Sequence, residues 1–197
     1  MNDYKFEQVD FDNPSFLFIL EDRLKSFLGG PLLYDSYIKS FGLKGDEKVL
    51  DFGCGGGTGS KCLIKFLNEN GHLTCVDISS YWMKKANRRL KKYSNAECQL
   101  GDIRKLNIPD SSFDVISVIH VIHDIAPAER QDIVSALSRK LKKDGTLFIR
   151  EPIRKSHGMP VEEIRTLLSS AGLREIENTG SKSEYKGKFK KEDLQEN

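Results

Sequence analysis

The 197 residues, 38% hydrophobic and 30% charged, suit one globular domain with a single sizeable core and leave too little chain for two. Lysine and arginine number 31 against 29 acids, a formal charge of only +2, which excludes a protein that tracks phosphates over its whole surface. The four cysteines, Cys54, Cys62, Cys75 and Cys98, show neither Cys-X-X-Cys spacing nor a finger-type histidine, and the longest apolar run near the start, Phe16 to Leu20, is too short to cross a bilayer; the expectation is a soluble cytoplasmic protein with reduced, scattered thiols, no disulfide framework and no membrane association.

Taken in chain order, Asn13-Pro14-Ser15 starts a helix to about Phe27, with Phe16, Ile19, Leu20, Arg23 and Phe27 in helical period and Gly29-Gly30 as its stop. Pro31 opens a second helix through Leu33, Tyr37, Ile38 and Phe41 that Gly42 ends. Val49 and Leu50 close a buried strand before a glycine-rich loop, and Lys61 to Asn70 forms a helix closed by Asn70-Gly71. Leu73 to Val76 is a second strand ending at Asp77. Ser79 caps a helix to about Lys92, whose Trp82, Met83, Ala86 and Leu90 share one face. Ala96 to Leu100 and Phe113 to Ile119 are strands, Pro127 to Leu141 is a helix, Thr146 to Ile149 a fifth strand, and Pro160 to Ala171 a helix closed by Gly172. Leu173 to Phe189 reads as a closing hairpin around Ser181-Lys182-Ser183. This alternation predicts an α/β fold with a parallel sheet covered by helices on both faces. Residues 1–44 form a helical cap or substrate lid on a core of residues 45–197, all within one domain.

The loop after the first strand, Asp51-X-Gly53-X-Gly55-X-Gly57, puts a carboxylate and three alternating glycines at a strand end, where a ligand can lie against bare backbone. An ordinary tight turn has the same look, and a dinucleotide fingerprint needs its third glycine at position 58, which is Thr. A leading carboxylate repels a pyrophosphate and favours a cationic ligand. Asp77, at the next strand end, can accept both ribose hydroxyls of an adenosine, as can the equivalent acid of a dinucleotide enzyme. Asp102, after the third strand, adds a carboxylate for an adenine amino group, with Ile103 beside it for apolar contact; no dinucleotide fingerprint includes that acid.

These motifs together resemble the class I S-adenosylmethionine-dependent methyltransferases in their compact single-domain branch. The loop is similar to their first motif, and Asp77-Ile78-Ser79-Ser80-Tyr81-Trp82-Met83 followed by Ala86 to their second. Residues 101–106 and 113–118 look like the third and fourth blocks, and Lys143-Asp144-Gly145-Thr146-Leu147 like the turn into the fifth strand. The resemblance covers roughly residues 45–180 in the expected order. It implies a Rossmann-like, doubly wound, mostly parallel seven-stranded sheet with a C-terminal antiparallel hairpin and an N-terminal helical cap. It also implies S-adenosyl-L-methionine as cofactor, held by Asp51, Gly53, Cys54, Gly55, Gly57, Asp77, Ile78, Met83, Asp102, Ile103 and His120.

His123-Asp124 is similar to the His-Asp dipeptide of small-molecule O-methyltransferases, whose histidine is the general base, so His123 is the candidate catalytic residue for a hydroxyl acceptor. Asp124, next to it in the chain, need not point the same way. The nucleobase motif Asn/Asp-Pro-Pro-Tyr does not follow the fourth strand. Tyr34, in the cap, is a candidate to close over the methionine arm or the acceptor. His120 and His123 lack a third ligand, so no metal is expected, and His72 and His157 read as isolated. Lys186, Lys188 and Lys190 share one face of the last strand and Tyr185 and Phe189 the other, as on a solvated edge strand. The expected partner is a small-molecule acceptor, without nucleic acid, for a monomer or homodimer. The alternatives are an RNA or protein methyltransferase and, in another class, a non-catalytic S-adenosylmethionine-binding protein.

Overall fold

The computed structural model describes residues 4, 6, 9–24 and 34–192. The chain divides into two compact units, residues 10–102 and residues 1–9 with 103–197. In both, the fold is mixed α/β.

In the unit of residues 10–102, β1 (Lys48–Phe52), β2 (His72–Asp77) and β3 (Ala96–Leu100) form parallel ladders in the order β3-β2-β1, with Asp51 opposite Cys75 and Asp77 opposite Leu100. Val49, Leu50, Leu73, Cys75 and Val76 are buried in this sheet. Two short helices precede it, α1 (Phe16–Leu24) and α2 (Ser36–Lys39), the second burying Tyr37 and Ile38. The expected end of the first helix at Phe27, its Gly29-Gly30 stop and the Pro31 start of the second with Leu32 and Leu33 lie outside the described residues.

The helix after β1 differs from its expected span. It runs as α3 (Thr58–Leu63) with a 3-10 turn at Ile64–Phe66. Left-handed Gly57 hands the chain straight into the helix, and the Asn68 N–H donates to the Gly45 carbonyl at 2.8 Å, which pulls the chain out of the helix before Asn70. The helix after β2, α4 (Ser80–Leu90), is capped as expected by Ser79, whose Oγ accepts from Trp82 N at 3.2 Å. A second device at the same end was not legible in the spacing. Asp12 Oδ1 accepts from Ser80 N at 2.8 Å, and the Ser79 hydroxyl donates to the Phe11 carbonyl at 2.8 Å, so the chain before α1 is tied to the start of α4.

In the other unit, β4 (Phe113–Ile119) pairs in parallel with β5 (Leu141–Arg154). α5 (Pro127–Lys140) connects them. The short β6 (His157–Gly158) turns back on β5, α6 (Val161–Ser170) follows, and β7 (Leu173–Gly180) and β8 (Glu184–Lys191) make the C-terminal antiparallel pair. β5 is much longer than the expected 146–149, because Leu141 already pairs with Phe113 of β4, β8 pairs from Thr146 as far as Pro152, and β6 pairs with Ile153 and Arg154. The chain lays down β7 first and then returns as β8 into the place between β7 and β5. β8 is therefore an interior strand, with β5 on one side and β7 on the other, and the edge-strand expectation for Lys186, Lys188 and Lys190 is corrected. Tyr185 and Phe189 are buried, as their alternation implies.

Replacing Ser79 by Ala removes the α4 cap and the bond to Phe11 together, and should lower stability by about 1–2 kcal/mol in urea denaturation. An unchanged midpoint and slope would show that the cap contributes nothing.

Candidate functional site

The glycine loop is built around two carboxylates. Asp51, at the end of β1, is buried and accepts from Ser60 Oγ at 2.6 Å, which ties it to the first turn of α3. The N–H groups of Gly53 and Cys54 donate to the Val76 carbonyl at 2.8 and 3.1 Å, closing the loop over the end of β2. Gly53, Gly55 and Gly57 have φ of 68°, 51° and 77°, the left-handed region that a side chain resists. A Cβ on Gly57 would lie 3.1 Å from Ala86 Cα, so α3 starts hard against α4; one on Gly55 would meet nothing within 4 Å, so that face of the loop is open. Arg89 donates to the Gly56 carbonyl and, at 2.7 Å, to Thr58 Oγ1.

Asp77 spans the loop and the next helix. Its Oδ2 accepts from Gly55 N at 2.8 Å and its Oδ1 from Ser79 N at 2.9 Å. Burial pushes its carboxyl above the usual range, with the backbone N–H bonds working the other way. Next to it, Ile78 is 66% exposed and Leu100, its strand neighbour's terminal residue, is 50% exposed. Large apolar side chains left in solvent at two adjacent strand ends, beside an acid with lone pairs to spare, form a surface suited to a flat, partly polar ligand. Asp102 is half-buried and Met83 buried. The Tyr34 ring lies 3.6 Å from where a Cβ on Gly59 would sit, and so packs on the start of α3.

Three of the four cysteines are not scattered, Cys62 standing apart. Cys75 and Cys98 are register partners in β2 and β3, and Cys54, Cys75 and Cys98 form a row of hydrogen-bonded thiols with Cys75 in the middle. The Cys54 bond and burial push Cys75 well above the ordinary thiol value, so the row is neutral rather than nucleophilic.

The other expected residues, Ile103, His120 and His123, fall in the second unit. Ile103 is buried. His120, past the end of β4, has φ of 58° and donates its N–H to the Arg150 carbonyl at 2.8 Å; its Nε2 sits 3.0 Å from Glu184 Oε1. The chain then makes a 3-10 turn, Ile122–Asp124. Here the residue that sequence reasoning missed is Glu151 of β5. Its carboxylate is fully buried, with one oxygen accepting from Val121 N and Ile122 N at 2.9 and 2.8 Å and the other lying 2.6 Å from His123 Nδ1. Asp124, the neighbour in the His-Asp dipeptide, approaches the opposite nitrogen, with Oδ1 3.3 Å from Nε2. His157, expected to be isolated, places its own Nε2 3.1 Å from His123 Nε2. Burial opposes the charged imidazole, but the hydrogen bond and charge of Glu151 outweigh it and raise His123 above its ordinary value; burial raises Asp124. Arg130 of α5 locks the turn, donating to the Ile125 carbonyl at 2.9 Å, the His123 carbonyl at 2.9 Å and Glu163 Oε1 at 2.5 Å. The only sequence hint of Glu151 is an acid two residues past the buried run Leu147-Phe148-Ile149, after Arg150.

The chain is similar to known proteins in this same stretch. A family model described as a methyltransferase domain matches residues 50–149. A sterol 24-C-methyltransferase of Gibberella zeae is 31% identical over 116 residues, 57% of this chain and 29% of that protein. A ubiquinone/menaquinone biosynthesis C-methyltransferase of Azotobacter vinelandii is 28% identical over 127 residues, 62% of this chain and 49% of that one. A tRNA N(3)-cytidine methyltransferase of Gallus gallus is 26% identical over 126 residues, 60% and 34% of the two chains. The chain therefore spans half or less of the length of these relatives. Among solved structures, a SAM-dependent methyltransferase from Aquifex aeolicus superposes with a TM-score of 0.71 at 24% identity, over 92% of this chain and 98% of that one. The N-methyltransferase NodS of Bradyrhizobium japonicum, in complex with S-adenosyl-L-homocysteine, has a TM-score of 0.70 at 18% identity, over 86% and 90%. These likenesses show a Rossmann-like fold.

Glu184 gives the histidine region a pH signature. Burial works against its charge, yet His120, Arg150 at 2.7 Å and Lys186 at 3.5 Å face it, and its carboxyl is held at about 2. A depressed carboxyl stabilises the fold above its unfolded value near 4.5 and loses that contribution as pH falls towards 2. Glu184→Gln should remove this slope, flattening stability across that window by about 1 kcal/mol after solvent screening. Thermal melts from pH 5 to about 2 check it; parallel curves for the two proteins would rule it out.

Proposed function

The chain belongs to the methyltransferase domain family, class I enzymes that take their methyl group from S-adenosylmethionine, and on that footing we propose that it methylates the hydroxyl of a small molecule with His123 as base. Within residues 10–102, Asp51, Gly53, Cys54, Gly55, Gly57, Asp77, Ile78, Met83 and Asp102 are proposed to hold the donor; for Ile103 and His120 the proposal rests on the motif resemblance alone. What supports a fit is the loop itself: the left-handed glycines leave open space at Gly55, and the half-buried Asp77 carboxylate beside it keeps acceptor capacity beyond its backbone N–H bonds for a ribose hydroxyl. The exposed Ile78 and Leu100 offer an apolar seat for an adenine. When bound, the donor supplies an electrophilic methyl group on a sulfonium. Tyr34, packed at the start of α3, is proposed to cover the methionine arm or the acceptor.

The observation that carries the acceptor reading is the 2.6 Å pair of His123 Nδ1 and buried Glu151. With Nδ1–H donating to Glu151, the Nε2 lone pair is left to take a proton. His123 Nε2 would take the hydroxyl proton as the acceptor oxygen attacks the methyl that the sulfonium would supply and give up with its carbon–sulfur electron pair, and Glu151 would steady the resulting imidazolium. Most of the acceleration comes from holding acceptor and methyl group in line. The relatives named for sterols and quinones are in keeping with a small acceptor. An RNA acceptor, as in the tRNA relative's name, would draw on the tail lysines, but Lys186 and Lys188 are already engaged by Glu184 and Glu177 at 3.5 and 4.0 Å.

Asp77→Ala should weaken S-adenosylhomocysteine binding at least about tenfold in calorimetry, since it removes charge-assisted bonds to the ribose; equal affinity would remove that role. Once an acceptor is found by methyl-transfer mass shift, His123→Ala should slow turnover by about 10²–10⁴-fold while donor affinity holds. Undiminished turnover would dispose of the base.

A further inference from the structure

Three electron-pair donors meet at one point on the turn after β4. His123 Nε2 lies 3.1 Å from His157 Nε2 and 3.3 Å from Asp124 Oδ1, and all three atoms fall within 4.8 Å of one another. With the His123 Nδ1 hydrogen committed to Glu151, the neutral ring offers only a lone pair here, and the carboxylate offers only lone pairs. A hydrogen on His157 Nε2 can bridge the two rings, but it leaves the Asp124 oxygen facing electron density. A proton on His123 Nε2 would serve Asp124 or His157, whereas one metal ion satisfies all three atoms at once.

The spacing fits such an ion. Bonds of about 2.0–2.1 Å to zinc in tetrahedral array put neighbouring ligand atoms about 3.3 Å apart. The support around the set also matches: a metal-bound histidine hands its other ring N–H to a carboxylate, as His123 does to fully buried Glu151. His123 and Asp124 share a turn that Arg130 clamps from α5. His157 arrives on β6, which turns back on β5 because Gly158, with φ of 146°, lets the chain pass where a Cβ would stand 2.3 Å from the Pro152 carbonyl oxygen. His120 is not a fourth member, since Glu184 holds its Nε2.

We propose that His123, Asp124 and His157 bind one divalent first-row transition ion of the zinc type, with a fourth position open to water or to an acceptor oxygen. The two-imidazole, one-carboxylate set suits zinc and its neighbours and not calcium or magnesium. The site stands on these side chains whether or not the chain acts on a hydroxyl. An ion on Nε2 takes the lone pair that proton abstraction needs, so the loaded protein and the base-competent protein are alternative states of one nitrogen.

The test is zinc titration of the chelator-stripped, dialysed full chain against a chromophoric competitor. The expected result is one zinc per chain at micromolar or tighter affinity, weakened at least tenfold in His157→Ala and in Asp124→Asn and unchanged in His72→Ala. Cobalt(II) in place of zinc should give the visible bands of a tetrahedral nitrogen and oxygen site, lost in His157→Ala. Absence of stoichiometric zinc binding, equal affinity in His157→Ala, or a cobalt–thiolate charge-transfer band that moves the ion to the cysteine row would overturn the site. Turnover of the stripped protein is measured separately. Its survival with zinc binding absent would sink the site and leave the base standing, and zinc binding with His123→Ala fully active would do the reverse.

Discussion

A carboxylate with no access to water sets the geometry of the C-terminal half. Glu151 is completely buried, and an isolated charge in that position would cost several kcal/mol. It persists because every side is answered: two backbone N–H groups at one oxygen and an imidazole nitrogen at the other. Those three donors all belong to the turn that follows β4. The turn is thereby folded around the acid, and His123 is fixed in orientation and in tautomer by the same contacts. Arg130 completes the arrangement from the other side, since its guanidinium takes the carbonyls of His123 and Ile125, which the turn cannot pair for itself. Removing the acid would therefore unmake the turn as well as release the histidine.

The acid of the other unit is handled differently. Asp77 also accepts backbone N–H groups, from Gly55, Ser79 and Ile78, but it stands beside the exposed apolar side chains of Ile78 and Leu100. Glu151 is wholly enclosed by its own chain, whereas Asp77 is half-buried and can be reached by donors from outside. That contrast is the physical basis for reading one acid as an internal strut and the other as a ligand contact. The glycines serve the second purpose, because Gly55 donates its N–H to Asp77 and leaves open space where a Cβ would stand.

Much of this was legible in the sequence, and the boundary of legibility is physical. β3, β4 and the span of α4 follow from local periodicity and capping, and the loop acids follow from their places at strand ends. The failures are all long-range pairings. β5 is long because β4, β8 and β6 pair along successive parts of it, β8 is interior because β7 lies beyond it, and the thiols meet because β2 and β3 pair in that register. Glu151 and His157 stand 28 and 34 residues beyond His123, with nothing in the local pattern to join them. A periodic pattern reports which face of an element is buried, not which distant residue covers it.

The His-Asp dipeptide shows what adjacency in the chain does and does not imply. Consecutive residues on a 3-10 turn point apart, so Asp124 cannot reach the Nδ1 side of His123 and comes instead to the Nε2 side, where it acts against a bare lone pair. Two carboxylates thus flank one imidazole on opposite nitrogens with opposite effects. Glu151 accepts a hydrogen that the ring can give; Asp124 adds electron density where the ring already has it. The Nε2 side is left short of positive charge, and His157 supplies at most one hydrogen to the three atoms gathered there. Whatever settles at that point must bring a proton or a cation. A hydroxyl acceptor brings the first and a transition ion the second, so the feature that makes His123 a serviceable base is the same one that makes it a ligand.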